Sequence, residues 1–214
     1  MVKAIIFDLD GVLIESEIYF LKAEIAIFNN HGMKLDEETA AKYLGLKIDA
    51  YIAAMEKIFN KKLDHKQLAR EIEEMVHNVY QHKIPLVPNV AKILPKLAKT
   101  YKLVLATSRE KYLAEIVMKR LNIAKYFPNG VYREHVSIGK PNPEVFLSAA
   151  KLVGVEPKDC VVVEDAQAGF EAGKAAGIYV IGRKAGYNKH QDFSAADATF
   201  TDFSKLPGII SSIK

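Results

Sequence analysis

The amino-acid sequence predicts an α/β protein, with a mainly parallel sheet held between two layers of helix and a separate block of helices inserted near its start. Three observations lead there. Beyond residue 84, short apolar runs alternate with stretches of helical period, the pattern of successive strand–helix–strand units. Those runs, Val161-Val162-Val163 for example, are apolar without interruption, as in strands covered on both faces. Between residues 15 and 83 no convincing strand occurs, and four helical patterns follow one another instead.

The first element is the buried strand Val2-Lys3-Ala4-Ile5-Ile6-Phe7, which breaks at Asp8-Leu9-Asp10-Gly11. Helices are expected over 17–30, 36–44, 49–59 and 64–82, a small bundle. Asp36 and Asp64 mark two of the starts, because an Asp side chain can accept from an N–H of the first turn. Asp64 with Gln67 three residues on is a variant of the capping box. Pro85 and Pro88 punctuate the return to alternating elements. A helix over 89–99 contains Pro95, which argues for a bend. A strand at 102–106, a helix at 111–121, a short strand near 130–133, a helix over 143–154, a strand at 160–163, a helix at 166–176 closed by Gly177 and a strand at 178–181 complete the series. The expected organisation is a discontinuous core, 1–14 and 84–214, with a helical cap at 15–83. The cap leaves the core immediately after Asp10-Gly11, placed to lie over these carboxylates as a lid.

Asp8 and Asp10 carry the sharpest chemical signal. Residues i and i+2 of an extended chain share a side, so both acids reach one site. Carboxylates that close repel unless one is protonated or a cation lies between them. A divalent metal, a carboxylate nucleophile, or both are implied. Parallel sheets bind ligands beyond the carboxyl ends of their strands. Those ends also carry Thr107 and Ser108, and Glu164 and Asp165, while Lys140 adds a cation just before a helix. Three or four carboxylates, a hydroxyl and a lysine, with no clustered His or Cys, favour Mg²⁺ over zinc or copper. The set suits displacement at phosphorus. A calcium loop beginning at Asp8 would need a helix before it and a Glu at its twelfth position, where Tyr19 stands.

In order, spacing and context, the segments Asp8-Leu9-Asp10-Gly11, Thr107-Ser108, Gly139-Lys140-Pro141 and Glu164-Asp165 resemble the haloacid dehalogenase superfamily. The helical insert resembles the cap of its sugar-phosphate phosphatase and β-phosphoglucomutase branch, and the resemblance runs over essentially the whole chain. It implies a Rossmann-like three-layer core and a Mg²⁺-dependent phosphatase acting on a small phosphorylated metabolite such as a sugar phosphate. Asp8 would be the nucleophile that forms an aspartyl-phosphate, and Asp10 the general acid and then base. Thr107, the Ser108 N–H and Lys140 would bind the phosphate. Mg²⁺ would be held by Asp8, the Asp10 carbonyl and Asp165, with Glu164 binding directly or through water. Lys47, Arg109 and Glu17 are candidate substrate contacts; Lys47 reads equally as a surface lysine, and Arg109 either reaches a second anionic group or forms a surface ion pair. The chain departs from the family at Glu15-Ser16-Glu17, where Asp-Ser/Thr-Glu is usual, and at Ala166, where a Ser is usual. Phe20 stands where the mutase branch carries a cap histidine, which counts against a phosphosugar mutase, the alternative reading. Behind it stand a halide-displacing dehalogenase, whose branch lacks the second aspartate, and a non-catalytic binding protein.

The net charge of +4 is spread along the chain, so no nucleic-acid partner is expected. Acids interrupt the first apolar run at once, unlike a signal peptide, and no stretch is long and apolar enough for a membrane span. Cys160, the single cysteine, has no internal partner and reads as a small buried hydrophobe. The expectation is a cytoplasmic enzyme, monomeric or a small homo-oligomer, whose partner is its small-molecule substrate.

Overall fold

The computed structural model describes residues 1–43, 48–82 and 84–213. One sheet contains β1 (Ala4–Phe7), β2 (Lys102–Ala106), β3 (Gly130–Val131), β4 (Cys160–Glu164), β5 (Tyr179–Arg183) and β6 (Ala198–Phe200), in the order β3-β2-β1-β4-β5-β6. Every pairing is parallel. The chain starts at the central β1, steps outward to β2 and β3, then crosses back to β4 on the other side of β1. The strand order thus reverses between β1 and β4, and ligands of such sheets bind at the crevice this reversal opens.

Helices α1 (Glu17–Asn30), α2 (Glu37–Ala41), α3 (Ile48–Phe59) and α4 (His65–Gln81) follow β1 in sequence. The later helices α5 (Val90–Leu97), α6 (Lys111–Arg120), α7 (Glu144–Leu152), α8 (Gln167–Ala175) and α9 (Leu206–Ser211) belong with the strands. The chain divides into two compact units, Met1–Glu15 with Ile84–Lys214, and Ser16–Lys83.

In the first unit, Ile6, Val104, Val162 and Val180 share one core cluster with Val145 and Phe146 of α7 and Phe170 of α8. The two-residue period of a strand sends the neighbouring side chains to the opposite face. There Phe7 meets Phe127 edge-on at 5.9 Å and stacks on Phe203 at 6.1 Å. In the second unit, α1 packs on α2 and α4, and α3 on α4, around Leu21, Phe28, Ile52, Met55 and Leu68. The Asp36 and Asp64 side chains accept from the N–H groups of Thr39 and Gln67, at 2.8 and 3.0 Å, as their spacing predicts.

Three differences from expectation have local causes. The second helix stops at Ala41, in a turn at Lys42-Tyr43, rather than reaching 44. The strand β6 is too short to show an alternating pattern and owes its extension to pairing with β5, Ile181 against Ala198. The helix α9, where the sequence predicts no element, carries Pro207 and Gly208, and a Pro in the first turn forfeits no helical bond. Among the described residues no helix is long and apolar enough to cross a membrane.

Candidate active site

The polar strand ends meet along one edge of the sheet. Phe7 of β1 is level with Leu105 of β2 and Val163 of β4, so Asp8 and Glu164 emerge side by side. The Asp8 N–H donates to the Val163 carbonyl at 3.0 Å, and the Thr107 N–H donates to the Val131 carbonyl at 3.0 Å. The ladder therefore holds both residues one step beyond their strands. Asp8, Asp10, Thr107, Glu164 and Asp165 are all buried.

After Asp8 the chain closes into a tight turn, in which the Leu9 carbonyl accepts from Leu13 and Ile14 at 2.9 and 3.1 Å. Gly11 adopts φ +66°, a left-handed conformation that other residues enter at a cost. A Cβ there would also lie 2.0 Å from Asp165 Oδ2. Both constraints demand glycine, and the second shows that the Asp165 carboxylate rests against the turn that carries Asp10.

Lys140 ties the cluster together. Its Nζ donates to Asp8 Oδ1 at 2.7 Å and to Glu164 Oε1 at 2.6 Å. The Glu144 carboxylate braces the segment before it, accepting from the N–H groups of Ser137 and Ile138, both at 2.9 Å. The ammonium also lies 5.1 Å from the centre of the Phe146 ring, a favourable cation–ring placement. Burial pushes the Asp8 carboxyl up to about 7; the Lys140 charge opposes this, while Glu164 and Asp10 add to it. Burial also works against the Lys140 ammonium, but the facing Asp8 and Glu164 carboxylates outweigh it and hold Lys140 above the ordinary lysine range.

Both oxygens of Glu164, expected to bind metal directly or through water, are hydrogen-bonded within the protein. Its Oε1 is committed to Lys140, and its Oε2 accepts from the N–H groups of Asp165 and Ala166 at 2.6 and 2.9 Å. A Cβ on Gly169 would lie 2.0 Å from Glu164 Oε1, so α8 leaves room for this carboxylate only because Gly169 has no side chain. In this geometry Glu164 anchors Lys140.

Arg109, expected either to reach a second anionic group or to form a surface ion pair, is ion-paired with Asp10. Its Nε donates to Asp10 Oδ2 at 2.7 Å, a partly buried ion pair inside the cluster. Its backbone N–H donates to Thr107 Oγ1 at 3.1 Å, which orients the threonine hydroxyl. Ser108 follows Thr107 at the exposed rim. Glu17 opens α1 in the inserted unit, and Lys47 lies outside the described residues.

The residues fit a small hard cation. Among the described residues no three His, Cys, Asp or Glu side chains converge as a ready-made metal cluster. Mg²⁺ needs only one or two carboxylates and fills its remaining positions with water and substrate oxygens. Asp8, Asp165 and the Asp10 carbonyl would offer such an all-oxygen set, and the buried acids outnumber the lysine among them.

Sequence reasoning missed three residues behind this site. Arg183 ends β5, 5 % exposed, and donates from Nη1 to the Gly11 carbonyl and from Nη2 to Glu15 Oε1, each at 2.5 Å. The Tyr187 hydroxyl donates to Asp165 Oδ2 at 2.6 Å. Asn188 Nδ2 donates to the carbonyls of Asp165 and Arg183 at 2.8 and 2.9 Å. The strand-end rule would have found Arg183 had the strand been extended beyond Ile181; nothing periodic marks Tyr187 or Asn188.

Residues 5–183 match the sequence family described as haloacid dehalogenase-like hydrolase. The phosphorylated carbohydrates phosphatase of Thermotoga maritima is 30% identical over 177 residues, 82% of each chain. The β-phosphoglucomutase of Bacillus subtilis is 31% identical over 190 residues, 84% of this chain and 82% of its own. A solved haloacid dehalogenase-like protein of unknown function from Agrobacterium tumefaciens has a TM-score of 0.89 over 99% of both chains at 24% identity, which shows the shared fold.

Proposed function

This chain belongs to the haloacid dehalogenase-like hydrolases, and we propose that it is a Mg²⁺-dependent phosphomonoester hydrolase that works through an aspartyl-phosphate on Asp8. The substrate is a small phosphorylated metabolite, and the kinship with a phosphorylated carbohydrates phosphatase favours a sugar phosphate. The carrying observation is Lys140 bound to Asp8 at 2.7 Å, at the strand edge where Asp165 rests on the Asp10-Gly11 turn. A buried carboxylate beside a fixed ammonium is equipped to meet an anionic phosphoryl group without prohibitive repulsion.

Thr107, the Ser108 N–H and Lys140 bind the phosphoryl oxygens. A carboxylate oxygen of Asp8 attacks phosphorus; the new Asp8–phosphorus bond forms as the ester oxygen leaves and takes a proton from Asp10. Asp10 then removes a proton from water, which attacks phosphorus, releases inorganic phosphate and restores Asp8. Asp8, Asp165 and the Asp10 carbonyl would hold Mg²⁺, which when bound supplies positive charge to the phosphoryl oxygens. Specificity is assigned to the inserted helical unit.

The likeness to β-phosphoglucomutase favours a mutase as the second reading. Phe20 weighs against it, buried and stacked on Tyr80 at 6.0 Å, with no proton to exchange. Incubation with a panel of phosphorylated sugars, with Mg²⁺ and with EDTA, separates the readings. Inorganic phosphate should appear only with Mg²⁺, and Asp8→Asn should abolish it. Accumulation of a hexose 6-phosphate from the 1-phosphate would move the assignment to mutase, and turnover by Asp8→Asn would overturn the nucleophile.

A further inference from the structure

We propose that Tyr187 is a positioning residue for the metal-binding carboxylate of Asp165, locked in place by the partly buried Glu15–Arg183 pair. The proposal rests on the assignment of Asp165 as a Mg²⁺ ligand.

The geometry is a relay of directed contacts within one compact unit. Tyr187 Oη donates to Asp165 Oδ2 at 2.6 Å, within the range of a charge-assisted O–H···O⁻ bond. Asp165 itself accepts no hydrogen bond from the side chain of the next residue, because Ala166 has no polar group. Tyr187 supplies a phenol donor from a loop 22 residues away. Arg183 fixes the phenol from behind, with Nη1 3.4 Å from Tyr187 Oη and 2.5 Å from the Gly11 carbonyl, which itself lies 3.1 Å from Tyr187 Oη. Glu15 neutralises the guanidinium at 2.5 Å. Asn188 pins the Asp165 backbone through its carbonyl at 2.8 Å and accepts from the Ala185 N–H at 2.8 Å, which closes the loop on itself.

The lining of Gly11 shows how tight this arrangement is. A Cβ there would fall 2.0 Å from Asp165 Oδ2 and 2.4 Å from Tyr187 Oη. The carboxylate and the phenol thus fill the space against the same turn that presents the Asp10 carbonyl. With Oδ2 held by the phenol, the orientation of the Asp165 carboxylate is set before any cation arrives. Partners of ligating carboxylates that act this way typically change metal affinity by about 10- to 100-fold when removed.

The test is calorimetric titration of the full-length protein with MgCl₂, comparing wild type, Asp165→Asn, Tyr187→Phe and Glu15→Gln, with melting of each metal-free protein alongside. Tyr187→Phe removes one oxygen, and its Mg²⁺ dissociation constant should rise about tenfold. The Mg²⁺ concentration needed for half-maximal phosphatase activity should rise in step, by more than kcat falls. Glu15→Gln should weaken Mg²⁺ binding in the same direction, which keeps the proposal open to refutation if Tyr187→Phe does not fold. Unchanged Mg²⁺ affinity in both variants, with Asp165→Asn abolishing binding, would overturn the positioning role and leave the metal site standing. A lower melting temperature of metal-free Tyr187→Phe with unchanged affinity would make Tyr187 a merely structural residue. Absence of Mg²⁺ binding by wild type would overturn the metal site and this proposal together.

Discussion

At the scale of single residues, two glycines decide what the charged side chains can do. Gly11 permits the left-handed turn and the close approach of Asp165, and Gly169 leaves the room in which Glu164 meets Lys140. Gly169→Ala puts a methyl group 2.0 Å from a carboxylate whose two oxygens are already engaged. The expected cost is about 1–3 kcal/mol of stability, as for other overpacked sites, read from denaturant melts. Displacing the Lys140 anchor should lower kcat by up to about a hundredfold, since an ångström of misplacement can cost that much. Wild-type turnover by Gly169→Ala would show that Glu164 does not seat the lysine. Asp8, Asp10 and Thr107 were legible as residue types at strand ends, and Lys140 as a cation just before a helix. The pairing of Glu164 with Lys140 was not, because Lys140 stands 24 residues earlier in the chain and no local pattern links them.

At the scale of elements, the helix starts were the most readable part of the inserted unit. Asp36 and Asp64 cap α2 and α4, each accepting from the N–H of the residue three positions later. The N–H of Gln67 holds the Asp64 carboxyl below the ordinary carboxylate range, a slight burial working the other way, and the N–H of Thr39 does the same for Asp36. A carboxyl with a depressed folded pKa stabilises the fold above its unfolded value near 4, and the contribution disappears as the pH falls through the lower folded value. Melting temperature followed from pH 7 to pH 3 should therefore drop most steeply below about pH 4. Asp64→Asn should flatten that drop, because an amide oxygen caps equally well at every pH. An unchanged slope would show that the cap does not couple to stability. The elements that escaped prediction are short and set by distant partners: β6 exists through β5, and α9 through its buried Leu206 and Ile210.

At the scale of the molecule, the sheet order explains why one region collects the chemistry. β1 is central, β2 and β4 flank it, and all run parallel, so three strand ends spread over more than 150 residues of sequence deliver their polar groups to one edge. A ligand that binds only the folded protein stabilises it by mass action. Free Mg²⁺ at about 100 times its dissociation constant should add about 2.7 kcal/mol, a rise of several degrees in melting temperature, and Asp165→Asn should abolish the rise. An equal shift in that variant would place the cation elsewhere. The sequence by itself determined the alternation of strand and helix, the helical insert and the residue types at the strand ends, because hydrophobic period, capping residues and turn glycines act over a few neighbours. Only the tertiary structure decided that Glu164 serves Lys140, that Arg109 grips Asp10, and that Arg183, Tyr187 and Asn188 stand behind Asp165 and Gly11. Those contacts join segments up to 176 residues apart, and a buried hydrogen bond between such segments leaves no period, spacing or composition for the sequence to show.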